Sequence, residues 1–73
     1  MSNYSREEVL ALIRHSLHHN RHHKDEINDL CEAVSQIKSA EAEDEIRQVI
    51  EKYDEIIIHL ENALQAVLVG SKE

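Results

Sequence analysis

Apolar residues recur along this chain at intervals of three and four, which is the period of an amphipathic α-helix. In the first half the pattern runs through Val9, Ile13, Leu17, Ile27, Leu30, Cys31, Val34 and Ile37. In the second half it runs through Ala42, Ile46, Val49, Ile50, Tyr53, Ile56, Ile57, Leu60, Ala63, Leu64, Val67 and Leu68. The pattern predicts two long helices, the first at about residues 6–38 and the second at about 41–69.

The ends of both predicted helices carry capping residues. Ser5 and Glu8 have the spacing of a capping box, in which each side chain bonds the backbone N–H of the other residue. Ser39 is suited to cap the second helix, and Gly70 is suited to end it. The chain contains no proline and one glycine, so nothing in its composition interrupts either helix.

Two such helices joined by a short connection predict an all-α fold, an antiparallel helical hairpin that forms one domain over residues 1–73. A hairpin of this length buries a small core. Ile58 also falls off the main apolar face of the second helix. We therefore expect two hairpins to pair as a homodimeric four-helix bundle. The alternative is a monomer with a few exposed aliphatic side chains.

Composition narrows the classes of partner and site. The formal net charge is −7, and no lysine or arginine patch is present, which argues against a nucleic-acid partner. No apolar stretch is long enough for a membrane span, and the first residues lack a signal region. These features predict a cytoplasmic protein. The single cysteine, Cys31, excludes an internal disulfide and cysteine-rich zinc sites within one chain.

Histidines are concentrated in the first predicted helix. Three of them, His15, His19 and His23, follow one another at intervals of four, which places their side chains in one row. His18 and His22 form a second pair that points mostly outward. Two imidazoles one turn apart can bind a divalent transition-metal ion such as Ni²⁺ or Zn²⁺. They make a weak site unless further ligands join them.

The antiparallel hairpin offers such ligands on the second helix. His59 is expected level with Asn20, between His19 and His23. Glu55 lies one turn before His59. The sequence therefore predicts a metal site of His19, His23 and His59, completed by Glu55 or water. In a dimer, His15 or a histidine of the other copy is an alternative ligand.

Other interpretations of these residues remain open. The histidines are also compatible with a polar surface, and Asn20 with a buried amide that fixes helix register or oligomeric state. Cys31 fits a small core residue. No phosphate-binding loop or activated nucleophile is present, so we expect no enzymatic activity. Two functions remain: metal binding through the histidines, or self-association and binding of a protein partner without a physiological metal.

One run of residues has the pattern of a known helical domain: Leu12, Ile13, His15, His19, Asn20 and His23. It resembles the helical domain appended to some CooT-type small nickel-binding proteins. The resemblance implies a helical hairpin in which the three histidines and Asn20 are the motif residues. Ser16 stands where that family often has tryptophan, and these 73 residues do not include the family's small β-domain. Nickel delivery therefore does not follow from the resemblance.

Overall fold

Two helices of equal length make up the fold. The computed structural model describes residues 3–70, in which α1 spans Arg6–Ser35 and α2 spans Ala40–Val69. They pack against each other as an antiparallel hairpin with extents of 52 × 20 × 19 Å. The predicted all-α hairpin is confirmed. No helix within residues 3–70 is long and apolar enough to cross a lipid bilayer.

Serine side chains begin both helices, as the sequence predicts. The backbone N–H of Glu8 donates to Ser5 Oγ over 3.1 Å, and the backbone N–H of Ser5 donates to Glu8 Oε1 over 2.8 Å. At the start of α2, the N–H of Ala42 donates to Ser39 Oγ over 3.2 Å. Each bond satisfies a backbone donor that has no partner within the helix.

The first helix ends earlier than its apolar pattern predicts. It stops at Ser35, three residues before Lys38, and residues 36–38 form the turn. Lys38 has a φ of 60°, in the left-handed region where glycine or asparagine is more usual. Ile37 is 70% exposed, so it does not extend the packed face of α1.

The core of the hairpin is thin. Among the described residues, only Leu10 and Leu17 are buried, with 6% and 4% of their surfaces exposed. The other side chains between the helices are half-buried, because each helix has a single neighbour and one helix covers only part of the apolar surface of another. Much of the apolar surface that the sequence encodes therefore stays accessible.

Arg6 holds the open end of the hairpin together. Its guanidinium donates from Nη2 to the backbone carbonyls of Val67 and Leu68, over 2.8 Å in each case. These carbonyls belong to the last turn of α2, whose C=O groups lack helical partners and carry the negative end of the helix dipole. The contact fixes how far the two helices slide along each other.

Ion pairs cross between the helices on one side of the hairpin, which we call the ion-pair side. Lys24 pairs with Asp54, and Arg21 pairs with Glu61. The four side chains are 31–53% exposed, so each pair contributes at most about 1 kcal/mol. A shallow groove of about 550 Å³ lies on this side, where Ile58 forms part of its lining.

By helical periodicity, four exposed aliphatic side chains lie on the opposite side of the hairpin, which we call the apolar side. It presents Leu12 and Leu30 from α1 and Val49 and Ile56 from α2, which are 51%, 44%, 37% and 42% exposed. Tyr53 lies between the two α2 residues, one turn from each. The two sides of the hairpin thus differ: ion pairs cross one of them, and these four aliphatic side chains lie on the other.

Candidate functional site

The three histidines of the predicted row do lie side by side on α1. The rings of His15 and His19 are stacked with centroids 5.9 Å apart, and those of His19 and His23 meet edge to face at 4.3 Å. Spacings of four residues bring these side chains onto one face of the helix. His19 and His23 lie seven residues from Leu12 and Leu30 respectively, so the two imidazoles stand in the middle of the apolar side.

His23 makes two polar contacts that together define its hydrogen-bonding state. Its Nδ1 lies 2.9 Å from Glu26 Oε1, and its Nε2 lies 2.9 Å from His19 Nε2. A carboxylate only accepts, so Nδ1 of His23 carries a proton. In the neutral imidazole, Nε2 of His23 then holds a lone pair and accepts the N–H of His19.

Glu26 is the carboxylate that contacts the histidine cluster. The hydrogen bond from His23 holds the pKa of the Glu26 carboxyl below its ordinary value, with further help from the nearby positive charge that His22 can carry. His22 Nε2 lies 3.5 Å from Glu26 Oε2. Because Glu26 is exposed, the carboxylate orients the imidazoles rather than adding much to stability.

Asn20 stands half-buried on α1, next to the histidine row. Its Nδ2 donates to the backbone carbonyl of Ser16 over 2.8 Å. The amide is therefore satisfied within its own helix. This bond does not link the two helices, so it does not supply the register-fixing contact that the sequence left open for Asn20.

The structure does not bring together all the predicted metal ligands. His59 and Glu55 are both exposed on α2, and the α2 ring beside His23 is Tyr53, with centroids 6.4 Å apart. His59 follows Tyr53 by six residues, which turns it about 120° away around the helix. Within residues 3–70, no group of three or more histidine, cysteine, aspartate or glutamate side chains is placed to hold a metal ion. The predicted grouping of His19, His23 and His59 is thus not formed in one chain.

Glu26 belongs to this site but is not among the residues predicted from the sequence. It follows His23 by three residues, and side chains at that spacing are neighbours on a helix. The signal was therefore present in the sequence. The predicted carboxylate is Glu55, which lies on the second helix, whereas Glu26 lies on the same helix as His23.

Comparison with known proteins identifies a family but no function. A family model described as a domain of unknown function, DUF8180, matches residues 9–67. The chain belongs to the DUF8180 family. No curated protein and no solved structure matches it. The segment shared with the family includes the histidine row and Glu26, and it takes in most of both helices. The resemblance to CooT-type proteins stays a prediction, because none of these matches bears on it.

Proposed function

We propose that this DUF8180 hairpin is a self-association module whose apolar side packs against a second copy to form a four-helix bundle. The observation that carries the proposal is the distribution of apolar surface. Four large aliphatic side chains on one side are 37–51% exposed, whereas only Leu10 and Leu17 are buried within the described hairpin. Small domains commonly complete such a core through a partner subunit.

The residue pattern of α2 fits a helix that faces more than one neighbour. From Val49 onward, apolar residues occur at least three times in each seven residues, as is typical of core-facing helices in bundles. One set of these positions faces α1 or the edge of the interhelical seam, and another opens onto the apolar side. The second set is Ala42, Val49, Ile56 and Ala63.

The dimensions and charge of the apolar side suit a second copy. The hairpin outlines a face of 52 by 20 Å, and a specific interface buries about 800 Å² on each partner. The net charge of −7 opposes association. However, the four exposed aliphatic side chains of this face carry no charge, and the Glu26 carboxylate near them is hydrogen-bonded to His23. The repelling carboxylates can then stay at the solvated rim.

A matched pair of substitutions tests the proposal. Ile56→Lys places a charge in the proposed interface, and Ile58→Lys places the same charge on the ion-pair side at similar exposure, 54% against 42%. We expect sedimentation equilibrium to show a dimer for the wild type and for Ile58→Lys. We expect Ile56→Lys to weaken dimerisation at least 100-fold, because a buried lysine loses its hydration.

Circular dichroism of both variants checks that each remains helical. A wild-type chain that stays monomeric at 100-micromolar concentrations would contradict the proposal. Equal dimerisation of the two lysine variants would also contradict it, since the apolar side would then not be the interface. A stable complex of the hairpin with a different protein, bound through Ile56, would also contradict the proposal. The apolar side would then bind that protein and not a second copy.

A further inference from the structure

We propose that the dimer carries a binding site for one divalent transition-metal ion, made of His19 and His23 from each of the two copies. The inference rests on the self-association proposed above. It differs from a site within one chain, because neither copy holds enough ligands alone. Bundles commonly build metal sites in this way, from side chains of facing helices.

The His19–His23 pair already has the separation of two ligands on one ion. Two nitrogens bound at about 2.0–2.1 Å are roughly 2.9 Å apart at a right angle and roughly 3.4 Å apart in a tetrahedron. The two Nε2 atoms are 2.9 Å apart. A small opening of the pair therefore suits a tetrahedral ion, and no opening is needed for ligands at right angles.

Glu26 supplies the outer contact that metal-binding histidines usually have. A histidine that ligates through one nitrogen commonly donates its other N–H to a carboxylate, which fixes the ring and raises its basicity. His23 makes this contact from Nδ1 to Glu26, which leaves Nε2 for the ion. His19 must move its proton from Nε2 to Nδ1 when the ion binds. This shift moves a proton from one nitrogen to the other of the same ring, so it changes no net charge.

The order of residues along the apolar side of α1 is self-complementary. A two-fold interface requires that if one residue contacts a second, the second contacts the first. His19 and His23 are equidistant from position 21, and so are Leu12 and Leu30. If two α1 helices pack antiparallel about this point, leucine meets leucine at both ends and all four imidazoles meet in the central layer.

Distance and polarity favour the same arrangement. Neighbouring helices in bundles lie about 8–10 Å apart, so imidazoles reaching from both sides meet between them. The same pairing sets Ser16 opposite Glu26, where a hydroxyl can donate to the carboxylate. Without an ion, the layer would bury four imidazoles that have few partners across the interface. An ion satisfies all four, and imidazole ligands suit Zn²⁺, Ni²⁺ and Cu²⁺.

Calorimetric titration of the tag-free full chain with Zn²⁺ and with Ni²⁺ tests the site. We expect one ion for every two chains. Sedimentation equilibrium in the presence of Zn²⁺ should show dimerisation at least tenfold tighter than in chelator. His19→Ala and His23→Ala should each abolish this binding. His18→Ala, on the outward face of α1, should leave it unchanged.

The outcomes separate the metal site from the dimer. A dimer that forms in chelator but binds no ion at one per two chains overturns the site and leaves self-association standing. One ion per chain, with dimerisation unaffected by Zn²⁺, also overturns it. Loss of binding in His59→Ala would overturn it in favour of a site within one hairpin. Retained binding in that variant supports the shared site.

Discussion

At the scale of single residues, Glu26 decides how the histidine cluster is arranged. It accepts a hydrogen bond from His23 Nδ1. This contact selects the tautomer in which Nδ1 carries the proton and Nε2, which faces His19, does not. Because that hydrogen bond lowers the pKa of the Glu26 carboxyl, the contact is complete above the ordinary carboxyl pKa. It is lost only as the pH falls through the lowered value. At neutral pH, the Glu26 carboxylate is thus ionised and its contact with His23 is complete.

Replacing Glu26 by glutamine should weaken Zn²⁺ binding about 10–100-fold, the usual effect of removing a carboxylate behind a ligating histidine. The amide can accept the same hydrogen bond but lacks the charge that raises imidazole basicity. Glu32→Gln is the matched control, since Glu32 is an exposed glutamate on the same helix. Isothermal titration calorimetry at pH 7.5 measures both. Equal Zn²⁺ affinities in the two variants would show that Glu26 does not orient the ligating imidazole.

At the scale of the helices, the sequence predicts what depends on local chemistry. The Ser5–Glu8 capping box and the Ser39 cap are confirmed because capping joins residues three apart in the chain. The end of α1 depends on Lys38, whose left-handed backbone has no glycine to signal it. The direction of His59 depends on its angle around the axis of α2. The prediction that His59 lies level with Asn20 concerns only its height along the hairpin and does not say which way its side chain faces.

The capping box should account for a measurable share of hairpin stability. Ser5→Ala removes the acceptor for the N–H of Glu8, and the expected cost is about 1 kcal/mol. For a domain of this size that cost lowers the thermal midpoint by about 4–8 °C. Ser35→Ala, near the other end of α1, should shift it by less than half as much. Thermal melts followed by circular dichroism, at one protein concentration, compare the two, and equal shifts would count against the cap.

At the scale of the whole molecule, the hairpin is a thin layer of two helices. Only Leu10 and Leu17 are buried among the described residues, so most of its apolar surface stays accessible. The sequence predicts this small buried core, because the apolar face of each helix is wider than one neighbouring helix can cover. It does not predict which side stays open. That depends on Arg21–Glu61 and Lys24–Asp54 crossing on the other side.

If the dimer completes the core, folding and association are one process. The thermal midpoint should then rise with protein concentration, because mass action favours the paired state. We expect a rise of several degrees between 5 and 200 micromolar for the wild type. The Ile56→Lys hairpin should melt at one temperature across that range. Scanning calorimetry or circular dichroism gives the measurement, and a concentration-independent wild type would show that the hairpin is stable alone.

The unequal sides of the hairpin also bear on how large an assembly of the proposed kind could grow. A chain with adhesive surface on both broad sides would stack without end and produce fibres. Here the bridges between lysine or arginine and acidic groups cross one broad side, where Ile58 is the exposed aliphatic side chain of the groove, while Leu12, Leu30, Val49 and Ile56 lie on the other. If two copies pair through the aliphatic side, as proposed, that pairing covers the surface they use and a third copy has no equivalent surface to bind.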